Sequence, residues 1–201
     1  MRGSRVAVRS AVAVLLLVSV TVLQGCVDAL IIGGVATGVV LAADRRQTEV
    51  MFTDQRIEFA ASSRVGEALK GQGHVNVTSY NSMVLLTGEV PTVQAKAEIE
   101  KIVSEVPQVK TVVNELQIAG TSSAASRSND AYITGKVKGN FLGNGKFRPT
   151  DIKVVTEAGV VFLLGLVTRE EADAATEAAR GTAGVQKVVR VFEYVVPPAK
   201  K

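Results

Sequence analysis

The chain has 201 residues, 23 Lys and Arg against 19 Asp and Glu, 47% hydrophobic residues and a single cysteine. One cysteine excludes an internal disulfide framework. Arg2, Arg5 and Arg9 all precede residue 10, so 20 bases face 19 acids beyond residue 25, and so neutral a body excludes bulk attraction to nucleic acid.

Those arginines precede an uncharged Val- and Leu-rich run over residues 10–24. Residues 1–25 thus read as a secretory signal, too short and wrongly flanked for a stable membrane span. Leu23-Gln24-Gly25-Cys26 closes the run and resembles a bacterial lipobox, in which the cysteine takes up diacylglycerol and becomes the new N-terminus. Cys26 is the expected lipidation site. Acyl chains anchor without a span, at about 0.8 kcal/mol per buried methylene. Val27 stands where an aspartate would retain a Gram-negative lipoprotein in the inner membrane, which implies the periplasmic face of the outer membrane, although Asp28 lies one place further on. Residues 26–53 read as the lipidated cysteine and a Gly-rich tether. Its stretch 29–43 is apolar but shorter than the roughly 20 residues a helix needs to cross a bilayer. A flexible or membrane-skimming segment is the expectation, and a second transmembrane segment in an uncleaved protein is the rival.

The first domain is expected over 54–118. Ala61, Val65 and Leu69 recur at helical spacing, two strands follow, and the second strand is the apolar run Asn81-Ser82-Met83-Val84-Leu85-Leu86-Thr87-Gly88-Glu89-Val90. An Ala-rich helical stretch and Val109-Lys110-Thr111-Val112-Val113 complete the unit. Residues 119–129 are small and polar and read as a linker. The second domain, 130–194, repeats the plan. Asn129 is a candidate N-cap, Asp130 suits the positive helix end, and Ile133, Val137 and Phe141 match the earlier stripe at an offset of 72. Ala158-Gly159-Val160-Val161-Phe162-Leu163-Leu164-Gly165-Leu166-Val167 matches the apolar run at an offset of 77. Thr168-Arg169-Glu170-Glu171 has capping-box spacing, and Val185-Gln186-Lys187-Val188-Val189 closes the domain before a short tail, 195–201. The internal repeat sets the expected fold: α+β, two αββαβ two-layer sandwich domains, each with a mixed three-stranded sheet and two helices.

The αββαβ order, the strand ending Leu-x-Gly-x-Val and the closing Val-x-x-Val-Val resemble the BON domain, a module of bacterial periplasmic and osmotic-stress proteins. Lipobox, Gly-rich tether, two such domains and the string Asn129-Asp130-Ala131-Tyr132-Ile133-Thr134-Gly135-Lys136-Val137 together resemble the dual BON-domain outer-membrane lipoproteins. That resemblance implies no catalysis and no cofactor. It implies binding of anionic phospholipid, notably phosphatidylglycerol, through the first helix of the second domain. It also implies support of envelope integrity, concentration at division sites and contact with the β-barrel assembly machinery.

Helix geometry offers a check on this residue by residue. Opposite the Ile133, Val137, Phe141 stripe lie Tyr132, Gly135, Lys136, Gly139 and Leu142, with Lys138 at the flank. Glycine costs roughly 1 kcal/mol relative to alanine inside a helix, so two on the exposed side suggest close approach by something. Tyrosine and lysine suit a lipid interface. At an offset of 72 the first copy places Ala60, Ser63, Arg64, Glu67 and Lys70 there, an ordinary solvated face. Six bases face eight acids over 54–118, but nine face eight over 130–194. A member of the family that the chain resembles carries tryptophan where Tyr132 stands, so weaker lipid binding is expected. The competing account has Tyr132 packed against the first domain or the linker, the glycines permitting domain docking.

Other constellations carry less. His74 reads as a solvated loop residue without companions for a metal site. Glu170, Glu171, Asp173 and Glu177 are accounted for by the start of a capped helix. The stretch Gly139-Asn140-Phe141-Leu142-Gly143-Asn144-Gly145-Lys146 lacks the strand-loop-helix setting of a phosphate loop and reads as a helix end and turn. Neither an active site nor a metal site is expected. A second reading, a periplasmic protein-interaction module or chaperone-like adaptor, would use exposed strand edges.

Overall fold

The computed structural model describes residues 44–196; the signal segment, Cys26, the tether as far as residue 43 and residues 197–201 lie outside them. The described elements are α1 (Thr48–Leu69), β1 (His74–Tyr80), β2 (Met83–Val90), α2 (Val93–Ser104), β3 (Thr111–Asn114), β4 (Gln117–Ile118), α3 (Ala124–Leu142), β5 (Ile152–Glu157), β6 (Val160–Val167), α4 (Arg169–Arg180) and β7 (Lys187–Tyr194). In the first sheet β2 is central, antiparallel to β1 and parallel to β3 and β4. Met83 faces Thr111 and Glu89 faces Gln117, so β3 and β4 keep one register and form a single strand interrupted where Leu116 drops into the core. The second sheet has the order β5-β6-β7, with β7 unbroken along β6. Both domains are therefore α+β with mixed sheets, as the repeat predicts.

Each sheet covers one face with its own helices. Ile57, Ala61 and Val65 of α1 meet Val84 and Leu86 of β2; Ile133, Val137 and Phe141 of α3 meet Val161 and Leu163 of β6. The opposite faces of the two sheets pack on each other through Tyr80, Leu85, Phe162, Leu164 and Val191. The layers run helix, sheet, sheet, helix, and the question of docking is answered by a shared apolar core. This explains why β6, and β2 from Met83 to Leu86, carry no polar side chain instead of alternating: both of their faces are buried. The glycine of each Gly-x-Val ending has a steric reason. A Cβ on Gly88 would sit 2.0 Å from the His74 carbonyl oxygen, and one on Gly165 would sit 2.7 Å from that of Asp151.

The helices align differently from the stripe-based match. Buried positions are Asp54, Ile57, Ala61 and Val65 in α1, and Asp130, Ile133, Val137 and Phe141 in α3, an offset of 76 and one turn away from 72. Apolar residues spaced by four look alike after a one-turn slip. The buried aspartates remove the ambiguity. Asp54 accepts hydrogen bonds from the backbone N–H of Asn81 and Ser82, both at 2.8 Å, and Asp130 from those of Ala158 (3.0 Å) and Gly159 (2.8 Å). Each aspartate thus clamps the hairpin turn beneath its helix. Both turns need left-handed backbone at both central residues, with φ of 54° and 66° at Asn81 and Ser82 and 48° and 74° at Ala158 and Gly159. The role expected for Asp130, favouring a helix end, is corrected accordingly, because it lies well inside α3.

Polar contacts tie the domains together. The Tyr80 hydroxyl donates to the Asp151 carbonyl oxygen at 3.0 Å, and Arg46 lies 4.0 Å over the Tyr80 ring. Burial pushes the Tyr80 phenol up to about 12. Arg45 pairs with Glu171 (2.5 Å) and Asp151 (2.9 Å) and donates to the Leu166 carbonyl oxygen (3.0 Å). Arg45 and Arg46, expected within the tether, thus engage the second and the first domain respectively, and α1 opens at Thr48, inside the stretch expected as tether.

Candidate functional site

The site expected on α3 begins with the helix itself. Its N-cap is Ser123, whose hydroxyl accepts from the Ser126 N–H at 3.1 Å. Asn129 lies in the second turn, so the N-cap expected there is corrected, and the last residues of the expected linker 119–129 are helix. Ser-Ser-Ala-Ala is the better start signal, since the hydroxyl precedes strong helix formers. The buried stripe fixes the helix rotation, and the opposite face points away from both sheets.

On that face Tyr132 is 66% exposed and Leu142 79% exposed. The competing account, with Tyr132 packed against the first domain or the linker, is corrected: the apolar domain interface lies between the sheets, and Tyr132 faces away from it. Gly135 and Gly139 are exposed, and a Cβ at either would meet nothing within 4 Å. Among the described residues no packing requires these glycines. Lys136 is half-buried; its ammonium lies 4.6 Å from the Tyr132 ring centroid and donates to the Ala183 carbonyl oxygen. Lys138 is exposed at the flank. Tyr132, Gly135, Gly139 and Leu142 therefore share one outward surface, with the ring and the leucine on either side of two bare glycines and Lys136 and Lys138 on its two opposite flanks. Lys146 is exposed in the following loop, whereas Arg148 is turned back onto Asp151 at 2.9 Å.

Correcting the offset to 76 changes the comparison between copies. The positions matching Tyr132, Gly135, Lys136, Gly139 and Leu142 are Arg56, Phe59, Ala60, Ser63 and Gly66. The first copy is not an ordinary solvated face, because Phe59 is 80% exposed. Sequence reasoning missed this, and the signal that would have found it is the matching pair of aspartates.

His74 is the first residue of β1, half-buried, with its ring 3.3 Å from the Asn76 side-chain nitrogen; the solvated-loop expectation is corrected. Thr168 and Glu171 form the expected capping box, Glu171 accepting from the Thr168 N–H at 2.8 Å. Arg45 holds the Glu171 carboxyl below its ordinary range. Asp173 and Glu177 pair with Arg190 (2.7 Å) and Arg180 (3.0 Å). Glu157 is buried between the domains, and desolvation raises its carboxyl although the Asn76 amide donates to it at 2.8 Å; nearby Glu89 adds to the rise. Among the described residues no group of three or more His, Cys, Asp or Glu is placed to hold a metal, and no helix is long and apolar enough to cross a membrane.

Residues 53–120 and 129–195 each match the BON domain. Over 175 residues the chain is 40% identical to the outer membrane lipoprotein DolP of Haemophilus influenzae, spanning 86% of this chain and 90% of that protein. It is 37% identical over 127 residues to the 21 kDa hemolysin of Actinobacillus pleuropneumoniae, spanning 63% of this chain and 66% of that one. A solved structure of CdsD, a structural protein of the type III secretion system of Chlamydia trachomatis, superposes at a TM-score of 0.29 with 12% identity, over 67% of this chain and 91% of that one.

Proposed function

The chain belongs to the BON-domain family and is an outer-membrane lipoprotein, and on that premise we propose that it is anchored through Cys26 and binds anionic phospholipid, phosphatidylglycerol above all, with the outward face of α3. The observation that carries this reading is the exposure of Tyr132 and Leu142 on either side of Gly135 and Gly139. Each glycine is expensive inside a helix, and no packing among the described residues requires it. Bare backbone lets a headgroup approach, while the ring and the leucine reach the acyl boundary.

Lys136 and Lys138 add electrostatic attraction of about 1 kcal/mol per base near an anionic surface. Tethering by acyl chains lets a weak site suffice, because the second contact is intramolecular. In this reading the protein is not an enzyme; it supports envelope integrity as a lipid-reading scaffold that gathers at division sites.

The test uses the chain from residue 26 onward with Cys26→Ser and phosphatidylglycerol micelles. If Tyr132 buries on the order of 60 Å² of apolar ring, about 1.5 kcal/mol is at stake, so Tyr132→Ala weakens binding roughly tenfold. Lys136→Glu weakens it further at low salt. Binding unchanged in both variants refutes the α3 face.

A second reading is favoured by one observation. β7 is an edge strand of eight unbroken residues, whereas its counterpart in the first domain is interrupted after Asn114. Such an edge can add a strand from another polypeptide, which would suit an adaptor for the β-barrel assembly machinery. Flotation separates the two, because an adaptor alone does not float with protein-free vesicles.

A further inference from the structure

Aligned by the buried aspartates, α1 shows an outward strip of its own. Phe52 and Phe59 are 55% and 80% exposed and lie almost two full turns apart, opposite the Ile57, Ala61, Val65 stripe. Arg56 stands between them, exposed and without an ion pair among the described residues. A single exposed phenylalanine is ordinary. Two that share one helix face with an unpaired guanidinium form a continuous amphiphilic surface.

The chain itself indicates what covers that surface. Only 21 residues lie between Cys26 and Thr48, a reach of at most about 80 Å even when fully extended. Of the described helices, α1 is the one that this tether joins directly to the anchor. We infer that the Phe52, Arg56, Phe59 strip is a second lipid-contact surface, with the rings at the acyl boundary and the guanidinium turned toward phosphate. This inference rests on anchoring at Cys26, but not on lipid binding by α3.

The layer order adds a constraint. α1 and α3 occupy opposite outer layers, since the sheets between them pack face to face. One flat bilayer therefore meets one strip at a time, and the two compete. The α1 strip offers two phenylalanines and one cation, so its contact depends on apolar burial more than on headgroup charge. The α3 strip, with Lys136 and Lys138, depends on charge and is weakened by salt.

The chain contains no tryptophan, so Phe59→Trp and Tyr132→Trp each install a single fluorescent reporter. The acylated chain is reconstituted in vesicles with brominated acyl chains, made of phosphatidylethanolamine alone or with phosphatidylglycerol. The Phe59→Trp indole is quenched by at least about twofold in both compositions and at high salt. The Tyr132→Trp indole is quenched only with phosphatidylglycerol and recovers as salt rises. Phe52→Ser, by weakening the competitor, increases quenching of the Tyr132→Trp indole. An unquenched Phe59→Trp indole in both vesicles overturns the inference. So does a blue-shifted emission that grows with protein concentration without vesicles, which would give the strip to a second copy of the chain. A Tyr132→Trp reporter that stays silent even with Phe52→Ser, beside a quenched Phe59→Trp reporter, sinks the α3 reading alone.

Discussion

Replacing the two buried aspartates separates a turn clamp from an ordinary surface charge. Asp130 accepts from two backbone N–H groups, those of Ala158 and Gly159. A hydrogen bond to a charged group contributes about 1.5–3 kcal/mol. Ala158 is exposed, so its freed N–H turns to water, but Gly159 is buried and its N–H is left without a partner. Asp130→Ala should therefore cost about 2–4 kcal/mol. Asp54 does more. Besides the Asn81 and Ser82 N–H groups it accepts from the Ser79 hydroxyl at 2.7 Å and pairs with Arg46 at 2.9 Å. Removing it strands a mostly buried guanidinium, although Asp44 still holds that group at 2.8 Å, and breaking a buried pair costs about 3–5 kcal/mol. Urea unfolding followed by far-ultraviolet dichroism reads both, with Asp130→Asn as an intermediate case that keeps one acceptor. Since one apolar core joins the two domains, either change should lower the midpoint of the whole unit. A loss under 1 kcal/mol for Asp130→Ala at unchanged denaturant slope, or an Asp130 change costlier than the Asp54 change, would refute the clamp.

Two more outcomes follow from the same geometry. Ala158 holds a φ of 48°, a left-handed conformation that costs an L-residue about 1–2 kcal/mol. Ala158→Gly removes that strain at some cost in unfolded-chain entropy, for a net gain of about 0.5–1 kcal/mol in the urea midpoint; a loss would show the turn to be unstrained. Glu157 has its carboxyl raised by burial, so the folded state holds a proton that the unfolded state has released. Stability therefore falls as pH rises from the ordinary carboxylate range through the raised value. Glu157→Gln should raise the melting temperature at neutral pH and lose that advantage in acid; an advantage independent of pH would assign the effect to packing instead.

The candidate face on α3 was legible because its signal is local. Tyr132, Gly135, Lys136, Gly139 and Leu142 are spaced so that any helix through them brings them together, and the neighbouring Ile133, Val137 and Phe141 decide which side is buried. The comparison with the first copy was not legible from the same rule. Four-residue spacing of Ala61, Val65 and Leu69 fits the second helix equally well one turn out of register, so the exposed strip of Phe52 and Phe59 stayed hidden. Only the long-range bond from each aspartate to a hairpin turn distinguishes the two alignments.

The sequence by itself determined the elements and their duplication: strand runs ending in Gly-x-Val, a capping box at Thr168, and helix stripes, all set by interactions within a few residues. The tertiary structure alone decided what covers the second face of each sheet. β6, and β2 from Met83 to Leu86, are apolar on both sides, a pattern that demands burial but names no partner, because burial of apolar surface is non-directional. The partner is chosen by complementarity across the layer, with Tyr80 reaching the Asp151 carbonyl and Arg45 spanning to Glu171 and Asp151. That choice places the sheets inside and leaves the outward faces of α1 and α3 to the surroundings.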